Sequence, residues 1–182
     1  GGQPIGRSVG PALEAREAIQ TLIEGRGSHS LVDKAMGIAG LVYELAGIVE
    51  PGKGFDLAYE TLRKGLSYEK MKEIIEAQGG NPNIKPDDIP IGEHKYTVYS
   101  PLEGAVTHID NAAITLIARA AGAPYDKKAG IIFHAKVGYR VRRGDPILTI
   151  YSSSSVKLEE AVRLMNRLSP VAVEGMIIKV LP

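Results

Sequence analysis

The stretch "GGNPNIKPDDIPIGE", residues 79–93, constrains the fold more than any other part of the chain. It carries three prolines and three glycines. Each proline lacks an N–H and pushes the residue before it out of helical geometry, so neither a helix nor a central strand runs through it. The sequence changes character across this stretch. Before it only helical periodicities occur. After it short strand-like runs alternate with helices, without the regular long crossovers of a parallel sheet. The expected fold is therefore α+β. The expected domains are a mainly helical part at 1–80, a linker at 81–93 and a strand-rich part at 94–182.

Within the first part, residues 1–10 read as a loop. Pro11 suits a first helical position, where a missing N–H costs nothing. Ala12, Ala15, Ile19 and Leu22 then recur at helical spacing, and Gly25 and Gly27 stop the helix. Ser28 or Ser30 is placed to cap the next helix, "LVDKAMGIAGLVYELAGIV", which runs to about Val49. Its apolar residues go nearly all the way round, so it should be buried on most sides. The other helices before residue 80 are too few to cover it, and part of its natural cover is expected from chain outside this sequence. Gly37, Gly40 and Gly47 would admit close neighbours. Two shorter helices follow, near 55–64 and 67–78.

In the second part, "HKYTVYSP", "GAVTHID", "GIIFHAK", "PILTIYS" and "VAVEGMIIKVLP" read as strands. "NAAITLIARAAG" reads as a helix capped by Asp110 or Asn111 and ended by Gly122. "SVKLEEAVRLMNRL" reads as another. The formal charge of +1 gives no bulk reason to expect nucleic acid as a partner. The absence of cysteine excludes disulfides and thiolate metal sites. No apolar run is long enough to span a bilayer and no secretory leader is visible, so a cytoplasmic protein with no membrane partner is expected.

Several motifs invite a chemical reading. The glycines of "GGQPIGRSVG" do not make a phosphate loop, because neither G-x-x-x-x-G-K-[ST] nor G-x-G-x-x-G is present. Turn carbonyls with a helix carboxylate would suit a hard cation, with a plain structural loop as the alternative. His29, His94, His108 and His134 lack metal-ligand spacing. His108 and His134, both in strand-like runs, are placed to face one another across a sheet. Ser152 to Ser155 suit a helix cap better than a phosphate site. Arg140, Arg142 and Arg143 read as a solvated turn.

"AKVGYRVRRGDPILTI" resembles the hairpins of biotinyl and lipoyl carrier domains. No lysine stands at a hairpin tip, however, and Lys136 is followed by Val-Gly, so shared architecture is expected rather than a carrier site.

The pieces together resemble one family. "GQPIGRSVGPALEAREAI" is similar to the sequence entering the second half of the central α/β domain of thymidine and pyrimidine-nucleoside phosphorylases. "SPLEGAVTHIDNAAITLIARAAGAP" and "HAKVGYRVRRGDPILTIYS" resemble their C-terminal α/β-hammerhead domain. The opening Gly-x-Gln-Pro-Ile-Gly is closest to the archaeal branch that acts on AMP.

The resemblance implies phosphorolysis by a pentosyltransferase. Inorganic phosphate, the co-substrate, attacks the anomeric carbon and the base leaves. For AMP the products are adenine and ribose 1,5-bisphosphate, and no further cofactor is required. The family's phosphate loop and base-binding residues lie upstream of the Gln-Pro motif. The resemblance therefore implies no catalytic or substrate-binding residue here, an inactive isolated chain, an N-terminal part as partner and a homo-oligomeric parent. It also implies half of a potassium site, from the carbonyls of Ile5 and Ser8 and the carboxylate of Glu17. The competing reading is a non-catalytic binding or assembly module with a hammerhead or biotinyl-like domain.

Overall fold

The computed structural model describes residues 2–175. The stretch 176–182, which holds most of the last expected strand, lies outside the described residues. The chain divides at two places, inside the first helix after Glu14 and again after Ile89, rather than into the expected parts 1–80 and 94–182. The described residues of Gly1–Glu14 and Pro90–Pro182 form one compact unit, and Ala15–Ile89 form a second.

The first unit is mixed α/β, with two antiparallel sheets among the described residues. The strands are β1 (Ser8–Val9), β2 (His94–Tyr99), β3 (Gly104–Ile109), β4 (Gly130–Phe133), β5 (Arg140–Val141), β6 (Pro146–Ser152) and β7 (Val171–Glu174). One sheet has the order β1-β4-β6-β2 and the other β5-β3-β7. In the first sheet Ile150 of β6 stands between Tyr96 and Ile131. Residues 147–150 of β6 are all buried, as befits a central strand covered on both faces.

Helices α5 (Asn111–Ala121) and α6 (Ser155–Leu168) complete this unit. On α5, Ile114, Ile117, Ala118 and Ala121 recur at i, i+3, i+4 and i+7 and are buried. They join Ile131, Phe133, Leu148, Ile150, Ala161 and Met165 in one core. Asp110 caps α5 by accepting from the amides of Ala112 and Ala113, and Gly122 ends it.

The helix α1 (Pro11–Glu24) starts at the proline, as its position predicts. The second unit contains α2 (His29–Leu45), α3 (Gly54–Arg63), α4 (Leu66–Ala77) and a 3-10 turn at Pro86–Asp88. Its core is small, built from Val32, Met36, Ala58 and Leu62. The linker is tied down within this unit, where Arg16 Nε donates to the Ile89 carbonyl at 2.7 Å.

Two expectations need correction here. Ser28 occupies the N-cap of α2 but makes no side-chain cap. Its hydroxyl donates instead to Glu17 Oε1 at 3.2 Å. The helix stops at Leu45 rather than Val49, because Gly47, at φ 69°, closes it. The Gly47 amide then reaches Glu44 O and the Ile48 amide reaches Tyr43 O, the bond pattern of a Schellman turn.

The cover of α2 is incomplete, as its apolar residues lead one to expect. The α2 helix is not buried on most sides in this chain. Val32, Met36 and Gly40 form its one buried stripe, while Ile38, Leu41, Val42 and Leu45 are exposed, Leu45 at 88%. No helix among the described residues is long and apolar enough to cross a membrane.

Candidate functional site

The opening loop is anchored at several points within the first unit. Its end pairs as β1 with β4, Ser8 opposite Ile132 and Val9 opposite Ile131. The Phe133 amide extends the pairing by donating to Arg7 O at 2.7 Å. Gly10 is required where the chain turns into α1. Its φ is +119°, and a Cβ there would lie 2.4 Å from the Ala129 carbonyl oxygen. The Gly10 amide donates to Glu14 Oε1 at 2.9 Å, which meets the loop-to-helix junction with an acid in the first turn.

The turn after β4 holds the rest of the loop. Lys136 is only 2% exposed. Its Nζ donates to three successive carbonyls, Pro4 at 2.7 Å, Ile5 at 2.8 Å and Gly6 at 3.0 Å. The Val137 amide donates to Gln3 Oε1 at 3.1 Å. Arg7 donates to the Tyr139 hydroxyl at 3.0 Å and stands over its ring at 5.7 Å from the centroid.

His134 lies at the start of this turn, and its Nε2 is 2.8 Å from Thr149 Oγ1. Thr149 Oγ1 is in turn 2.9 Å from Thr97 Oγ1, so a polar chain crosses three neighbouring strand segments. Burial, and then the nearby charge of Arg7, push the imidazole pKa of His134 below its ordinary value of about 6.5. His108 does not face it. His108 pairs with Ala172 in the other sheet, because β3 joins β5 and β7 rather than β4.

The remaining motifs resolve as structure. Ser152 is buried and its hydroxyl donates to Ala121 O at 2.7 Å. Ser154 caps α6 by accepting from the Lys157 amide. The Ser153 amide donates to Asp126 Oδ2 at 3.3 Å, so a carboxylate rather than a phosphate meets this serine run. Burial opposes ionisation of Asp126. The Lys128 amide, the hydroxyl and amide of Ser153 and the charge of Lys157 outweigh it and hold the carboxyl below its usual range. Asp145 organises the arginine turn by accepting from the Arg142 amide at 2.8 Å.

Of the residues expected to hold a cation, Ile5 and Ser8 lie in this loop. Ile5 offers the carbonyl that Lys136 occupies, and Ser8 is in β1. Glu17 belongs to the other unit, where it accepts from Ser28. Among the described residues no group of three or more histidine and acidic side chains is placed to hold a metal. Lys136 as the loop's anchor was missed by sequence reasoning. A lysine in an apolar strand-like run, "IIFHAKVG", is the only local sign of it.

Residues 105–172 match the model of the pyrimidine nucleoside phosphorylase C-terminal domain. The whole chain is 59% identical over 182 residues to an AMP phosphorylase of Hyperthermus butylicus. Residues 105–172 thus carry a pyrimidine nucleoside phosphorylase C-terminal domain, and the whole chain is similar to part of this AMP phosphorylase. It is also 55% identical over 181 residues to an AMP phosphorylase of Pyrococcus horikoshii, and 48% identical over 182 residues to one of Methanosarcina acetivorans. In each case all of this chain is covered but only 36% of the relative. The family model runs from Ala105 in β3 through α5, β4, β5, β6 and α6, and so includes the turn that carries Lys136.

Proposed function

We propose that the chain is the C-terminal part of a nucleotide phosphorylase that releases adenine from AMP with inorganic phosphate as co-substrate. The observation that carries this is the 59% identity, sustained over the full 182 residues, to a protein named AMP phosphorylase. Phosphate attacks the anomeric carbon, the N-glycosidic bond breaks, and the base leaves with the bonding electrons and takes up a proton. The transition state has oxocarbenium character, so positioning and electrostatics do most of the work. Residues 94–182 are read as the α/β-hammerhead domain and residues 1–80 as a helical remainder of the central domain, joined by a linker at 81–93.

Under this reading the parent is cytoplasmic and homo-oligomeric, and its N-terminal part carries the phosphate and base sites. The uncovered face of α2 supports a partner of that kind. Ile38, Leu41, Val42 and Leu45 make an apolar surface too coherent to face water by choice. Ile5, Ser8 and Glu17 would form half of a potassium site only if the ion displaced the Lys136 ammonium from the Ile5 carbonyl.

The same face also fits a binding or assembly module without chemistry, and one experiment separates the two. The full-length natural protein and this chain alone are each given AMP and, in parallel, thymidine, with and without phosphate. The phosphorylase reading expects phosphate-dependent adenine release by the full-length protein and none by the isolated chain. Release by the isolated chain, or no phosphorolysis of either substrate by the full-length protein, overturns it. A carrier-domain function is disfavoured by geometry, since the Lys136 amine is buried and committed to three carbonyls.

A further inference from the structure

We propose that Lys136 is a built-in monovalent cation: its ammonium fills a three-carbonyl cradle in the opening loop and does there what a free ion would otherwise do. The cradle is made by the successive carbonyls of Pro4, Ile5 and Gly6, at 2.7, 2.8 and 3.0 Å from Nζ. Successive carbonyls of an extended chain point to alternate sides, so turning three of them to one point concentrates negative potential. That arrangement favours a positive charge at its focus. Converging neutral oxygens are the donor set of a hard cation. An ammonium suits it equally, with three N–H donors and no acceptor.

Burial argues the same way. A lysine is almost never fully buried unless its charge is met by polar partners, and Lys136 is 2% exposed. The distances are those of charge-assisted bonds. A free ion would be lost on dilution or exchanged with the medium. An ammonium carried on the turn after β4 is not, because the same turn grips the loop through Gln3 and Arg7. The loop's order should therefore not depend on which salt is present. This inference does not rest on the phosphorylase reading.

The test is hydrogen exchange of the full-length natural protein, read on peptides covering residues 2–10 and 134–141. Exchange is compared in potassium, ammonium and choline chloride at equal ionic strength. The natural protein should exchange these amides at the same rate in all three. Lys136→Met, which keeps the length and removes the charge, should speed exchange by roughly ten- to hundredfold in every salt, the scale of losing hydrogen bonds to a charged group. Lys136→Ala should be as fast in choline but slower in ammonium or potassium, as a free cation enters the emptied cradle.

Slower exchange of the natural protein in potassium than in choline overturns the proposal and favours a resident free ion. That comparison needs no variant and survives if the variants fail to fold. Unchanged protection in Lys136→Met, or rates in Lys136→Ala that ignore the cation, overturn it as well.

Discussion

Gly40 of α2 and Gly54 of α3 meet backbone to backbone: a Cβ built on Gly54 would lie 2.1 Å from the Gly40 carbonyl oxygen, and one on Gly40 only 2.5 Å from the Phe55 amide nitrogen. This contact lets α3 lie against the buried stripe of α2, in a unit whose core is otherwise four residues. Backbone atoms cannot swing aside as a side chain would. Gly54→Ala should therefore cost about 1–3 kcal/mol, the scale of overpacking. Gly37, on the same helix, has open space where its Cβ would go. Gly37→Ala should stabilise by about 0.5–1 kcal/mol through helix propensity. Urea unfolding followed by circular dichroism reads both, and equal effects of the two substitutions would contradict the close approach.

The uncovered face of α2 leads to a second pair of outcomes. In the isolated chain, Leu41→Lys with Leu45→Gln should leave helicity unchanged, because both side chains are exposed and contribute little burial. The double variant should bind less hydrophobic dye and self-associate less than the unsubstituted chain, seen in sedimentation. In the full-length protein the same pair should lower the melting temperature, since the face is there expected to be covered. No loss in the full-length protein would separate this face from any internal partner.

How far the sequence foretold these features depended on how local their causes were. Pro11, Asp110, Gly122 and Ser154 each act on atoms within a few residues, and each sits where its chemistry predicts a helix end. The pairing of His108 was not legible, because the choice between two sheets is set by which strands share a core rather than by any local signal. Ser28 failed as a side-chain cap because a carboxylate 11 residues away competes for its hydroxyl. Lys136 was hidden most deeply. Its partners are 130 to 132 residues distant, and its own neighbours give no sign that three carbonyls await it. The exposed side of α2 was foreshadowed, since its apolar residues outnumber what the chain itself can cover.

His134 gives a pH dependence whose sign follows from its environment. Its folded pKa lies below the ordinary value of about 6.5, through burial and then the charge of Arg7. The unfolded chain therefore binds the proton more readily than the folded one. By linkage, this contribution to stability is fully present above about pH 6.5 and is lost as pH falls through the folded pKa. His134→Gln, which keeps a hydrogen-bonding group near Thr149, should flatten that part of the stability profile between pH 7 and about pH 5. Chemical denaturation at a series of pH values measures it. A variant profile as steep as the natural one would assign the slope to other groups.

Asp110 carries the last prediction. Its carboxylate accepts from the amides of Ala112 at 2.9 Å and Ala113 at 3.1 Å, two donors that a helix start otherwise leaves orphaned. The helix it opens packs Ile114 and Ile117 into the main core, so fraying there reaches residues that hold the sheet. Asp110→Ala should lower stability by about 0.5–2 kcal/mol. Asp110→Asn keeps the capping oxygen and loses only the charge at the helix N-terminus, so it should recover most of that loss. The ordering Asp, then Asn, then Ala in urea midpoint is the expected result. Equal midpoints for Asn and Ala would show that charge, not the cap hydrogen bonds, fixes the start of α5.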